Sequence, residues 1–127
     1  KGLKYSDSRS EQKEHSNKSV LTGEIKDFHA DFMKFKNHEA VVFYTENLPP
    51  VNYQDIEYFM PIVEGRINGY YKVERVGIRE KDEKQQLRLK LTEFIQLGEE
   101  WVSVVDRMEA GALISKNYVN ALYEQTI

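Results

Sequence analysis

From Leu87 to Leu91 the chain alternates leucine with a cation, as Leu87-Arg88-Leu89-Lys90-Leu91. A period of two puts successive side chains on opposite faces. The segment is therefore expected as a strand, with the leucines inward and Arg88 and Lys90 outward. Upstream, Tyr70-Tyr71-Lys72-Val73-Glu74-Arg75-Val76-Gly77-Ile78 reads as a long strand in which the apolar parity changes. Tyr71 and Val73 share one face, whereas Val76 and Ile78 take the opposite parity. That switch predicts a bulge or bend near Glu74-Arg75. Charged residues 81–86 join the two strands as the loop of an antiparallel hairpin. Phe94-Ile95-Gln96-Leu97 extends it until Gly98-Glu99-Glu100 turns. Ahead of the hairpin, Asn68-Gly69 has turn chemistry, because both residue types tolerate positive φ.

Elsewhere the period changes. Ile25, Phe28, Phe32 and Phe35 recur at spacings of three, four and three. This stripe predicts a helix over 24–35, with Thr22 as its cap and Asn37 and His38 at its end. Ala40-Val41-Val42-Phe43-Tyr44-Thr45 is β-branched and aromatic with apolar residues at both parities, which predicts a central strand. Pro49-Pro50 follows its end. Residues 53–60 suggest a short helix that presents Tyr53, Ile56 and Phe59 or Met60 on one face and stops at Pro61. Residues 101–105 suggest another strand. Ser115 is placed to cap a last helix reaching about Glu124, with Val119, Leu122 and Tyr123 as its apolar face. Residues 1–19 are polar and are expected as a mobile arm, leaving 20–127 as a single domain. The fold class expected is α+β: a small, mostly antiparallel β-barrel or strongly bent sheet with flanking helices.

Length and composition narrow this picture. The 127 residues suit one domain, which can bury a sizeable core without a staple. There is no cysteine, so disulfides and thiolate metal sites are excluded. No apolar run approaches the roughly 20 residues that a membrane span needs, and no signal segment accompanies the Asn17-Lys18-Ser19 glycosylation pattern. A cytoplasmic location without a membrane partner is expected. The net charge of −3 hides an asymmetry. Residues 66–90 carry eight Lys or Arg against four acids, a net +4 that leaves −7 for the rest of the chain. A basic sheet face on an acidic body is one consequence. Solubilising charge on an exposed hairpin is the other.

A search for chemistry returns little. His15, His29 and His38 show no metal-ligand spacing. No serine lies in a nucleophile motif, and Ser115 is explained by capping. Gly65 and Gly69 match neither a phosphate loop nor a dinucleotide fingerprint. Glu99-Glu100 and Asp82-Glu83 fall in solvated turns, where raised carboxylate pKa values are not expected. The strands at Lys72-Val73-Glu74-Arg75 and Arg88-Leu89-Lys90 lack the acid-x-lysine of a metal nuclease. No catalytic residue, metal or cofactor is assigned. What remains is a surface. Tyr44, Tyr70, Tyr71 and Trp101 lie in or beside strands, interleaved with Lys72, Arg75, Arg88 and Lys90. Rings stack on unpaired bases and cations hold phosphates. Strand alternation sends half of these rings to the core, with Tyr44 or Tyr70 expected outside and Trp101 at least partly buried.

The order of these segments carries a resemblance. A polar turn and apolar strand, Phe35-Lys36-Asn37-His38-Glu39-Ala40-Val41-Val42-Phe43-Tyr44, precede a long insertion. Ile67-Asn68-Gly69-Tyr70-Tyr71-Lys72-Val73 and then Leu87-Arg88-Leu89-Lys90-Leu91 follow it. Over roughly 34–105 this resembles the PUA-like superfamily, notably its EVE and ASCH branches. The Lys-x-Gly-Asp turn usual there stands here as Lys36-Asn37-His38-Glu39. The Trp often found near the start of EVE domains has no counterpart. The resemblance implies a small closed barrel that binds RNA, or a modified base in DNA, without catalysis. On that basis Tyr44, Asn47 and Tyr70 would line a pocket, and Lys72, Arg75, Arg88 and Lys90 would meet phosphate. The expected function is thus nucleic-acid recognition, within a longer protein. The alternative is a protein-interaction or assembly domain that uses the aromatic sheet surface and the C-terminal helix.

Overall fold

Residues 19–126, which the computed structural model describes, build one mixed sheet. Its strands are β1 (Val20–Ile25), β2 (Val42–Tyr44), β3 (Tyr58–Val63), β4 (Arg66–Ile67), β5 (Gly69–Lys81), β6 (Lys84–Gln96), β7 (Val102–Ser103) and β8 (Leu113–Ile114). Two α-helices accompany them, α1 (Phe32–Lys36) and α2 (Lys116–Thr126). The strand order is β2-β6-β5-β3-β1-β8, with β4 pairing β3 and β7 pairing β4. Every pairing is antiparallel except β1 with β3. The α+β class stands, but the sheet does not close into a barrel. β2 pairs only with β6 and β8 only with β1, so both ends of the order stay open. The arm segment 1–18, with His15 and the start of the Asn17-Lys18-Ser19 pattern, lies outside the described residues.

The long hairpin organises the sheet. β5 and β6 have 13 residues each. The loop expected over 81–86 shrinks to Asp82-Glu83, with φ of 54° and 65°. Positive φ at both central residues suits the right-handed twist of the flanking strands. Register shifts fall between Tyr71 and Val73 and between Val73 and Arg75; the second is where the parity switch placed a bulge, and the first is additional. Leu87, Leu89 and Leu91 are buried and Arg88 and Lys90 exposed, as the alternation required.

Each face of the sheet has its own core. On one, Phe35 of α1 meets Phe43, Phe59 and Tyr71 edge-on, with the three leucines of β6 beside them. On the other, Val119, Leu122 and Tyr123 of α2 cover Met60, Ile62, Ile67 and Tyr70. The Ser115 hydroxyl accepts from the Tyr118 N–H at 3.0 Å and caps α2 as expected.

Several expected elements differ. The segment expected as a helix over 24–35 begins as strand β1, and helix survives only at 32–36. Thr22 is no cap. Its hydroxyl donates to the Glu109 carbonyl at 2.7 Å from within β1. β-Branched Val20 and Thr22 flank Leu21 in a parallel ladder with β3, and this pairing overrides the stripe. Phe28 is consequently 78% exposed. The 53–60 helix reduces to a 3₁₀ turn at Tyr53–Asp55, followed by β3 with Pro61 inside it. β3 pairs β5 at Tyr58 and Phe59 and β4 at Val63, so Pro61 falls where that side has no ladder partner. The turn expected at Asn68-Gly69 lies instead at Glu64-Gly65, with φ of 55° and 75°. The central strand expected at 40–45 is an edge strand, which explains why Val41 is 61% exposed. The 101–105 strand is the two-residue β7 plus a 3₁₀ turn.

Candidate functional site

Register decides which side chains share a surface. β6 keeps a regular period from Lys84 to Lys90, and its leucines face the core. Lys84, Gln86, Arg88 and Lys90 therefore face outward. Directly paired residues project to the same side. Lys81 pairs with Lys84, Arg79 with Gln86, Gly77 with Arg88 and Arg75 with Lys90. On the other flank Tyr44 pairs with Arg88 and Val42 with Lys90. The outward rungs of β2, β6 and β5 thus hold six cations (Arg75, Arg79, Lys81, Lys84, Arg88, Lys90) and not one acid. Glu80 shares its rung with Gln85 on the opposite face, Asp82 and Glu83 sit in the turn, and Glu74 lies unpaired in the bulge between Val73 and Arg75, where it reaches Lys90. Arg79 is half-buried, and the other five cations are exposed.

The centre of this face is ordered by Tyr44. The Arg79 guanidinium carbon lies 3.5 Å from the Tyr44 ring centroid. The Arg79 Nε–H donates to Gln86 Oε1 at 2.9 Å. The Arg88 Nε–H donates to the Tyr44 hydroxyl at 3.2 Å. Lys90 Nζ reaches Glu74 at 3.7 Å, and Lys72 Nζ reaches Glu93 at 3.3 Å. Among the described residues no carboxylate stands within ion-pair distance of Arg75, Arg79, Lys81, Lys84 or Arg88.

The expected site residues therefore divide. Tyr44, Arg75, Arg88 and Lys90 come together. Lys72 lies beyond the bulges, exposed and held by Glu93. Asn47 leaves this surface and joins Tyr44 at a cleft of about 360 Å³ between β1, β2 and the 46–50 and 110–111 loops. Tyr70 joins neither. It is 1% exposed, packed edge-on to Tyr58 under α2. Its rung partner Ile95 also belongs to that second core, so alternation turned it inward. Tyr71 is equally buried, and Trp101 is partly buried. The aromatic sheet surface expected of an assembly domain is therefore largely interior. Arg79, Lys81 and Lys84 were not singled out from sequence; the last two fell in 81–86, which read as a loop. Extending the Leu87–Leu91 alternation back to Lys84 would have found one of these three, Lys84.

Around His38 the chain builds structure of another kind. His38 has φ 62° and stacks on Phe94 with centroids 3.9 Å apart. Burial holds its imidazole below the ordinary histidine pKa, against a hydrogen bond with Asn68 that acts the other way. A positive imidazole at the end of α1 is thus disfavoured. Among the described residues no three His, Asp or Glu side chains gather as a metal site, and no helix is long and apolar enough to cross a membrane. No protein-family model, curated protein or solved structure matches the chain.

Proposed function

We propose that this domain binds nucleic acid, RNA or DNA, by its phosphate backbone along the outward face of β2, β6 and β5. One observation carries the reading. Six cations occupy the outward rungs of that face, and among the described residues a single carboxylate, Glu74 at the bulge, reaches one of them, Lys90, although the chain as a whole is acidic. Like charges side by side repel, so gathering them costs stability unless a polyanion offsets the field. Exposed Arg and Lys that neutralise phosphates release counterions, and this supplies affinity without sequence readout. Few rings are available for base stacking, since Tyr70 and Tyr71 are inside and one face of Tyr44 is covered by Arg79. Backbone contact therefore dominates over base recognition. Of the PUA-like resemblance, recognition of nucleic acid remains, without the closed barrel and without a pocket containing Tyr70.

Fluorescence anisotropy with labelled single-stranded RNA, single-stranded DNA and duplex DNA across a salt series tests it. Log affinity should fall linearly with log salt. The Arg75→Ala/Arg88→Ala double variant should lower the slope by about 1.4 for a single strand or about 1.8 for a duplex. Absence of binding at low salt, or an unchanged slope in the double variant, would overturn the reading.

A further inference from the structure

Resting on that reading, we infer that Gly77 is the floor of a phosphate seat walled by Arg75, Arg79 and Arg88. Gly77 lies mid-strand in β5, where glycine weakens a ladder and gives no side chain to pack. Neither usual reason for glycine applies. Its φ is not positive, and a Cβ built on it would meet nothing within 4 Å. Gly23 shows the contrast, since a Cβ there would run into the Phe59 and Phe43 rings. A strand glycine with open space above it marks a place where a ligand approaches the backbone.

What borders that space is cationic. Arg75 and Arg79 stand two positions to either side on the same strand, roughly 6.8 Å away along it. Arg88 is the cross-strand partner. Arg79 and Arg88 are both held in place by Tyr44, through the ring and the hydroxyl respectively. No described carboxylate neutralises any of the three. Guanidinium groups present donors in a planar fork that matches phosphate oxygens, and held in advance they lose less freedom on binding. A side chain at position 77 would project into the middle of the three.

The test uses the full chain with Gly77→Ala and Gly77→Val. Both substitutions suit an open strand position, so the urea midpoint should stay level or rise. Affinity for single-stranded RNA should nonetheless fall about three- to tenfold for Gly77→Val, with the salt slope reduced by about 0.7, and less for Gly77→Ala. A folded Gly77→Val protein with wild-type affinity and slope would overturn the seat and leave the wider proposal standing. Titration of the wild-type protein with inorganic phosphate, followed by the Gly77 amide resonance, is independent of both variants. A saturable shift at Gly77 is expected, and no shift would overturn the seat. A shift with no polynucleotide binding would keep the seat and overturn the nucleic-acid reading. Binding to vesicles of anionic phospholipid in place of RNA would do the same.

Discussion

The Arg79 guanidinium reaches from β5 across β6 to lie 3.5 Å from the centroid of the Tyr44 ring on β2. The same tyrosine accepts from Arg88 through its hydroxyl. One neutral side chain thus holds two cations that would otherwise repel. Tyr44→Phe keeps the stack and loses the hydroxyl, whereas Tyr44→Ala loses both. At a half-buried site the stack contributes about 1 kcal/mol. RNA affinity should fall about twofold for Tyr44→Phe and about three- to fivefold or more for Tyr44→Ala. Equal affinity in all three proteins would mean that Tyr44 does not position the arginines. Anisotropy at fixed salt, with urea midpoints as the control, gives the comparison.

Gly23 is a position where an added methyl group has no room. A Cβ there would stand 2.6 Å from one Phe59 ring carbon and 2.9 Å from a Phe43 ring carbon. Those rings stack with centroids 4.2 Å apart and form part of the aromatic core, so they cannot withdraw without disturbing Phe35. Gly23→Ala should destabilise the domain by about 1–3 kcal/mol through overpacking. Urea unfolding with an unchanged m-value is the check. The contrast with Gly77→Ala, expected neutral or stabilising, separates a packing glycine from an open one.

How much of this was legible in the sequence follows from how local each cause is. The β5–β6 hairpin, its bulge near Glu74-Arg75, the inward leucines and the Ser115 cap are set by neighbours a few residues apart, and all were readable. The β1–β3 pairing joins residues nearly forty positions apart, as in Val20 with Tyr58. Nothing in the local pattern announces it, so the Ile25–Phe35 stripe read as one helix. Tyr70 and Tyr44 looked alike as strand aromatics. Only the register, with Tyr70 opposite Ile95 and Tyr44 opposite Arg88, puts one inside and the other on the cationic face. Arg88 and Lys90 were legible as outward cations. Their company with Arg79, Lys81 and Lys84 depended on a turn two residues long.

Asn68 ties three segments together from a buried position. It is 1% exposed, and its amide donates to the Gly98 carbonyl at 3.1 Å and the Glu100 carbonyl at 2.9 Å. The Tyr123 hydroxyl donates to the same Glu100 carbonyl at 2.6 Å. Losing the amide strands acceptors that were desolvated to receive it. Asn68→Ala should cost about 2–3 kcal/mol and Tyr123→Phe about 1 kcal/mol. The double variant should cost less than the sum, because both act on one carbonyl. A strictly additive pair in urea unfolding would show that the two groups hold the 98–100 turn independently.

Tyr71 makes stability fall in alkali. Burial pushes its phenol up to about 12, with the Ala40 N–H opposing that rise and the Glu39 charge adding to it. The folded pKa therefore lies above the unfolded value near 10. Below pH 10 both states keep the proton, and the contribution is fully present. Between about 10 and 12 the unfolded chain ionises while the folded chain does not, and stability is lost by up to about 2–3 kcal/mol. His38 acts at the other end with the opposite sign. Its folded pKa is lowered, so its contribution is present above the unfolded value of about 6.5 and is lost as pH falls through the folded pKa. Urea midpoints between pH 5 and 11.5 should trace a dome with both shoulders. Tyr71→Phe should flatten the alkaline shoulder and leave the acid one, and His38→Asn, which tolerates the left-handed backbone at this position, should do the reverse. An alkaline shoulder that persists in Tyr71→Phe would assign that loss of stability to other groups.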